Sequence, residues 1–320
     1  MTDKSAADQT RTFFIWMVPR TNSTALMKCM TFVDDVRVWM EPYMCCYFNE
    51  TFYNPNYRKG EEVVEKMRER LRKNEASEAM KQIRADLAVK IAESPNVIDQ
   101  KLISYSWVKK QLEMPDQEKR FVFVKDQSFV LAKHPEYLPN VKAHHTFLIR
   151  HPLEMYISFQ ESVRMRMTFD GIPWEECRLD KEVPFMPSKD FYKIHYEFWQ
   201  YLARETGSEP IIIDSHDLRS KPEVILPKWF DMLGIPFKSS YLEWDGSDEV
   251  IHHWKGSADF VYLETQTSLF QVASKSSRFR PPPGPRGTPS KPELKPTPEL
   301  EEYIEAAMPI YEKMFEKRLH

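Results

Sequence analysis

The chain is poor in glycine, with eight in 320 residues, has only four cysteines, and carries a formal net charge of just −3. Each shortage excludes something. No G-x-x-x-x-G-K-[ST] string occurs, which disfavours an ordinary ATPase or kinase loop. Cys29, Cys45, Cys46 and Cys177 include one adjacent pair and no C-x-x-C spacing, so reduced thiols are expected rather than a disulfide framework or a zinc site. No stretch reaches the roughly 18 apolar residues of a membrane span. The opening MTDKSAADQTR lacks the apolar core of a signal peptide, so a cytoplasmic protein without a membrane partner is expected. Low net charge also provides no general basic field for nucleic acid. Any anionic ligand must be gripped by local groups.

What is present is a chain 42% hydrophobic, enough to bury a full core. Short apolar runs closed by charged or turn-forming residues predict strands over 13–18, 36–40, 121–124, 146–149 and 210–214. Helical patterns lie between them. The longest covers about 60–93, where Val63, Val64, Met67, Leu71, Met80, Ile83, Leu87 and Ile91 would pack an apolar stripe on the sheet. The alternation implies an α/β fold with a central, mostly parallel sheet flanked by helices, whose ligand crevice lies beyond the carboxyl ends of the strands. A helix over 226–233 should end at Gly234, with Pro236 blocking its continuation. The organisation expected is a disordered 1–10, a main domain over 11–279, a proline-rich strap over 280–298 and a closing helix over 299–320 packed on the domain.

Two strand ends carry the chemistry. In Val18-Pro19-Arg20-Thr21-Asn22-Ser23-Thr24 an apolar strand runs through a short loop into a helix, whose first N–H groups suit a phosphate. Arg20 adds fixed charge, and Ser23 and Thr24 add hydroxyls. In Arg150-His151-Pro152 a second strand ends and Pro152 opens a helix, with Ser158 eight residues after Arg150. At about 1.5 Å rise per residue, Ser158 stays within an arginine's reach of the same anion. Two such sites suit one doubly phosphorylated ligand.

These residues resemble the sulfotransferases that bind 3′-phosphoadenosine 5′-phosphosulfate (PAPS). Their 5′-phosphosulfate loop commonly reads P-R-S-G-[ST]-[ST], and their 3′-phosphate motif is Arg, then x-P, then Ser eight residues on. The stretch Asp214-Ser215-His216-Asp217-Leu218 through Gly234-Ile235-Pro236 is similar to a late segment of the same fold. The resemblance runs from about residue 13 to 237 and implies a P-loop nucleotide-hydrolase-like sulfotransferase fold. It implies that Arg20, Thr21, Asn22, Ser23 and Thr24 hold the 5′-phosphosulfate and Arg150 and Ser158 the 3′-phosphate. Lys275 and Ser277, in a late basic run, would close over the phosphates. Asn22 stands where the family usually has Gly; Asn enters the left-handed region more easily than other non-glycine residues.

Sulfuryl transfer to a hydroxyl needs a base and positive charge at the transferring group. By resemblance to the tyrosylprotein and carbohydrate types, Glu41 is the expected base, and Lys125 with Arg20 stabilises charge. Asp126 and His134 are reserve bases, because Gln127 stands where cytosolic members place a histidine. The acceptor would be a small molecule bearing a hydroxyl or, in second place, an amine. Aromatic residues over 43–57, with Met165, Met167, Phe169 and Trp174, could wall its pocket or simply fill the core. His144-His145 and His252-His253 lack ligand spacing, so no metal is expected. A P-loop small-molecule kinase and a non-catalytic nucleotide-binding module remain the rival readings, and oligomeric state is not encoded in any pattern found.

Overall fold

The computed structural model describes residues 10–75, 78, 81–82, 85–86, 88–89, 96–167, 172–247, 249–257 and 272–320. Its centre is a five-stranded, all-parallel sheet. In chain order the strands are β1 (Arg11–Met17), β2 (Val36–Met40), β3 (Phe121–Gln127), β4 (Ala143–Ile149) and β5 (Ile211–Asp214), and in space they run β2-β3-β1-β4-β5. All five regions anticipated as strands form them, although β3 continues three residues past Val124 to Gln127.

The strands form because their runs are apolar on both faces, as a covered parallel sheet requires. Phe13 stacks on Phe123 at 4.8 Å and on His144 at 5.4 Å across the two neighbouring strands. Trp16 is fully buried and donates its Nε1–H to His145 Nδ1 at 3.1 Å, which keeps that histidine as an acceptor. Burial pulls His145 down to about 4, so it stays neutral. Both sheet edges are covered, which removes a template for unwanted pairing. Lys255 exchanges backbone bonds with Val38 and Met40 along β2, and Leu319 N–H donates to Ile212 O on β5 at 2.8 Å.

Helices α1 (Ser23–Thr31) and α2 (Pro42–Phe48) follow β1 and β2 directly. Helix α3 (Glu62–Glu75) docks on the turn Asn49–Tyr53 and the residues after it. Buried Arg68 accounts for that docking, donating to the carbonyls of Thr51, Asn54 and Tyr57. Met80, Ile83, Leu87, Ile91 and Phe169 lie outside the described residues, as do residues 1–9. Helix α4 (Pro152–Met167) follows β4, α5 (Phe191–Thr206) packs beside it, and α6 (Ser215–Ser220) opens at the end of β5. Helix α7 (Pro222–Leu233) ends on left-handed Gly234, whose N–H and that of Ile235 close the last turn on Asp231 and Phe230.

The segment after Arg280 contains no helix or strand until α8 (Pro298–Glu316), which packs on α4 and α5. Among the described residues no helix is long and apolar enough to cross a membrane. The chain leaves β1 towards β2 on one side and later crosses to β4 on the other, so the order of connection reverses at β1. In parallel α/β sheets the ligand crevice opens beyond the carboxyl ends at such a point. The loop following β1 stands there.

Candidate functional site

Three non-glycine residues at the carboxyl edge of the sheet adopt left-handed backbone: Arg20 (φ 62°), Asn22 (φ 62°) and Glu41 (φ 46°). Such conformations cost about 1–2 kcal/mol for most residues and less for Asn. Their persistence requires surrounding bonds that fix them. For Asn22 the bond is visible, since Ser215 Oγ lies 2.6 Å from its Oδ1.

The hydroxyls of the first loop turn inward. Thr21 Oγ1 donates to Val18 O at 3.1 Å, Ser23 Oγ lies 2.7 Å from Met17 Sδ, and Thr24 Oγ1 accepts from Lys125 Nζ at 3.1 Å. They brace the loop and leave the orphan N–H groups of the first turn of α1 as its outward donors. The side chain of Asn22 makes no cap bond to α1.

The two loops interlock although 130 residues separate them. Arg150 Nη1 donates to Arg20 O at 2.8 Å, and Arg20 Nε donates to Ser158 Oγ at 3.1 Å. Ser158 therefore bonds the arginine of the other loop. Arg150 also pairs through Nε with Glu154 Oε2 at 3.1 Å, both side chains being buried. Burial, reinforced by the charge of Arg150, pulls the Arg20 guanidinium down to about 10. It remains charged at neutral pH but crowded by like charge.

Other parts of the chain enter the same locus without a motif to announce them. Arg219 on α6 donates to the carbonyls of Arg280 and Pro281, both at 2.8 Å, and burial plus the charge of Arg150 pulls it too down to about 10. Gly287 N–H donates to Glu154 Oε1 at 2.8 Å. Arg286 bonds Asp214 and Asp217, and Tyr311 of α8 donates to Asp214 Oδ2 at 3.0 Å. The proline-rich strap thus lies across the carboxyl ends of β4 and β5. The buried nitrogen His151 Nδ1 has no hydrogen-bond partner among the described residues, nor has His216 Nδ1.

Beside this locus sits a sealed pair. Glu41 and Lys125 are 2% and 1% exposed, and Lys125 Nζ lies 2.6 Å from Glu41 Oε1. Glu41 Oε2 has a longer contact, 3.5 Å, with Gln127 Nε2, while Gln127 Oε1 is buried without a partner among the described residues. Glu41 N–H donates to Lys125 O at 2.8 Å, tying β2's end to β3. Asp126, one residue on, accepts from the N–H groups of Tyr43, Met44 and Gln127 at 2.6, 3.2 and 2.9 Å. It caps α2, whose N-cap residue Glu41 has its carboxylate occupied elsewhere. Burial, then the charge of Glu41, raises the Asp126 carboxyl well above its usual range.

Other anticipated residues stand apart. His134 faces Tyr105 and Tyr137 and lies 3.6 Å from Glu136. Lys275 and Ser277 are exposed, in a segment held by buried Lys28 through the carbonyls of Ser274 and Ser276 and by Trp244 N–H on Ser277 O. Of the aromatic residues, Tyr43 is core, Phe48 and Phe52 pack around Phe185, and Trp174 anchors the strap through Lys295 O. Met165 is exposed. Among the described residues no group of three or more His, Cys, Asp and Glu could hold a metal ion, and all four cysteines are buried and unpaired. Sequence reasoning missed Arg219, Glu154 and Ser215. The spacing of Ser215 and Arg219, four apart on the helix that follows a strand end, is the signal that could have found two of them.

No protein-family model matches the chain and no curated protein matches it. Among solved structures it is similar to the sulfotransferase domain from the curacin biosynthetic pathway, at 14% identity over 94% of this chain and 97% of that one, with a TM-score of 0.41. It is also similar to the sulfotransferase domain of the Synechococcus PCC 7002 olefin synthase, at 14% identity over 99% of each chain, with a TM-score of 0.43. At such values these likenesses assign nothing to this chain; its own side chains must do so.

Proposed function

We propose that this protein is a sulfotransferase that moves a sulfuryl group from PAPS to a hydroxyl, or in second place an amine, of a small acceptor. The observation that carries the reading is the interlock of two anion loops, with Arg150 on the Arg20 carbonyl and Arg20 on Ser158. A crowd of guanidinium groups with one bonded carboxylate among them is costly when empty and favourable around a multiply charged anion. Buried polar atoms without partners at His151 and Gln127 fit the same expectation.

PAPS would supply an activated sulfuryl group with 3′,5′-ADP as its leaving group. The first loop and Arg20 would bind the 5′ side, with Asn22 fixing the loop's shape, and Arg150 and Ser158 the 3′-phosphate. Lys275 and Ser277, exposed in a late segment, would close over the phosphates. Glu41 would accept the acceptor's proton at Oε2, because Lys125 already holds Oε1. Lys125 would add positive potential at the transfer point, and Thr24 would orient Lys125. Asp126, committed to three N–H groups, would hold α2 in place rather than move protons. No residue needs a metal for these tasks.

A melting scan tests the ligand class. Selective stabilisation by 3′,5′-ADP without metal supports the reading, whereas a response to ATP with Mg²⁺ alone favours a small-molecule kinase. Radiolabelled PAPS offered with a panel of acceptors then separates an enzyme from a binding module that never transfers. Glu41→Gln should lower turnover about 10²- to 10⁴-fold with nucleotide affinity nearly unchanged. Turnover equal to wild type would remove Glu41 as the base.

A further inference from the structure

We propose that Arg219 is a specificity-determining residue of the anion site, supplying the third guanidinium that makes it prefer a nucleotide with a 3′-phosphate over the same nucleotide without one. This deepens the functional reading above and rests on it.

The placement follows from three independent contacts. Ser215 and Arg219 are four residues apart on α6 and share a face, and Ser215 Oγ touches Asn22 in the first loop. Arg219 therefore rises on the helix face that meets the loop. Its Nε and Nη2 are fixed by the strap carbonyls of Arg280 and Pro281, which leaves the Nη1 amine without a partner among the described residues. The strap bonds itself to the other wall through Gly287 N–H on Glu154, the carboxylate paired with Arg150. Arg219 and Arg150 are thus tied to the same segment of chain, and the charge of Arg150 bears on Arg219.

Two guanidinium groups held by one strap favour a dianion over a neutral hydroxyl strongly, because a hydroxyl cannot offset their mutual repulsion. A 5′-nucleotide lacking the 3′-phosphate would leave that repulsion in place. The strap carbonyls hold the guanidinium without neutralising it, so its charge stays available to ligand.

The test is calorimetric titration of full-length wild-type, R219Q and R219K proteins with 3′,5′-ADP and with 5′-AMP. R219Q should lose about ten- to a hundredfold in affinity for 3′,5′-ADP, the worth of one charge-assisted contact, and less than threefold for 5′-AMP. R219K should lose less than R219Q, and again selectively, which keeps the test decisive if R219Q is unstable. Equal losses for both nucleotides would make Arg219 a strap anchor only and overturn the inference, as would no loss for either. Wild-type protein that ignores 3′,5′-ADP would overturn the functional reading together with this one. Normal wild-type binding with an indifferent R219Q would overturn this inference alone.

Discussion

At the carboxyl ends of β2 and β3, one carboxylate meets one ammonium at 2.6 Å and both are closed off from water. At the ends of β1 and β4, Arg20, Arg150 and Arg219 gather, and the carboxylate bonded among them is Glu154. The first region is balanced within itself, so its charges must stay together for the fold to tolerate them. In the second, like charges outnumber the carboxylate bonded among them. Residues a few positions apart on one sheet edge are therefore held differently: a sealed ion pair on one side, and on the other a cluster whose charge stays open.

The comparison breaks most sharply if one member of the sealed pair is removed. Lys125→Met should leave Glu41 as an uncompensated buried charge and cost about 3–5 kcal/mol in urea unfolding, with turnover abolished. Combining it with Glu41→Gln should recover much of the stability and none of the activity. A single mutant as stable as wild type would show that the pair is hydrated and not sealed. Losing a cation from the open cluster, as in R219Q, should instead leave stability close to wild type and move ligand affinity.

How much of this contrast was legible in the sequence follows from where its information lies. Arg20 and Arg150 were readable because each ends an apolar run and opens a helix, a local pattern. Ser158 was readable through helical rise. The five strands were readable because burial on both faces leaves an unbroken apolar run. Asp126 was harder: its neighbour Lys125 suggests chemistry, but its three N–H partners come partly from α2, some eighty positions away in the chain. Arg219 showed only in its spacing from Ser215, and Gly287 not at all, since their roles depend on where a strap without periodicity is laid. Arg68 escaped notice because a stripe marks a helix face by its apolar residues, whereas this arginine binds the carbonyls of Thr51, Asn54 and Tyr57.

Asn22 sharpens the comparison at a smaller scale. It adopts φ 62° where only a minority of residues are comfortable, and Ser215 fixes it by one hydrogen bond. Asn22→Ala loses that bond and gains backbone strain, which should cost about 1–2 kcal/mol and weaken 3′,5′-ADP binding. Asn22→Gly loses the bond but relieves the strain, so it should fall within about 1 kcal/mol of wild type. If both variants cost the same, the loop is held by the Ser215 contact and its backbone angle is incidental.

The smallest effect belongs to Lys275, the cation that the family resemblance would bring to the phosphates. Its segment is fastened from below by Lys28, which sits five residues beyond Ser23 on α1 and spends its ammonium on the carbonyls of Ser274 and Ser276. Lys275 itself is exposed, and no ion pair involving it is present among the described residues. A solvated cation contributes through screened water, where such interactions are worth about 0–1 kcal/mol. Lys275→Ala should therefore change 3′,5′-ADP affinity less than about threefold at physiological salt, as read by the same titration used for Arg219. A tenfold loss would mean that the segment 275–278 swings onto the nucleotide when it binds, and the open cluster would then be completed by this chain as well as by its ligand.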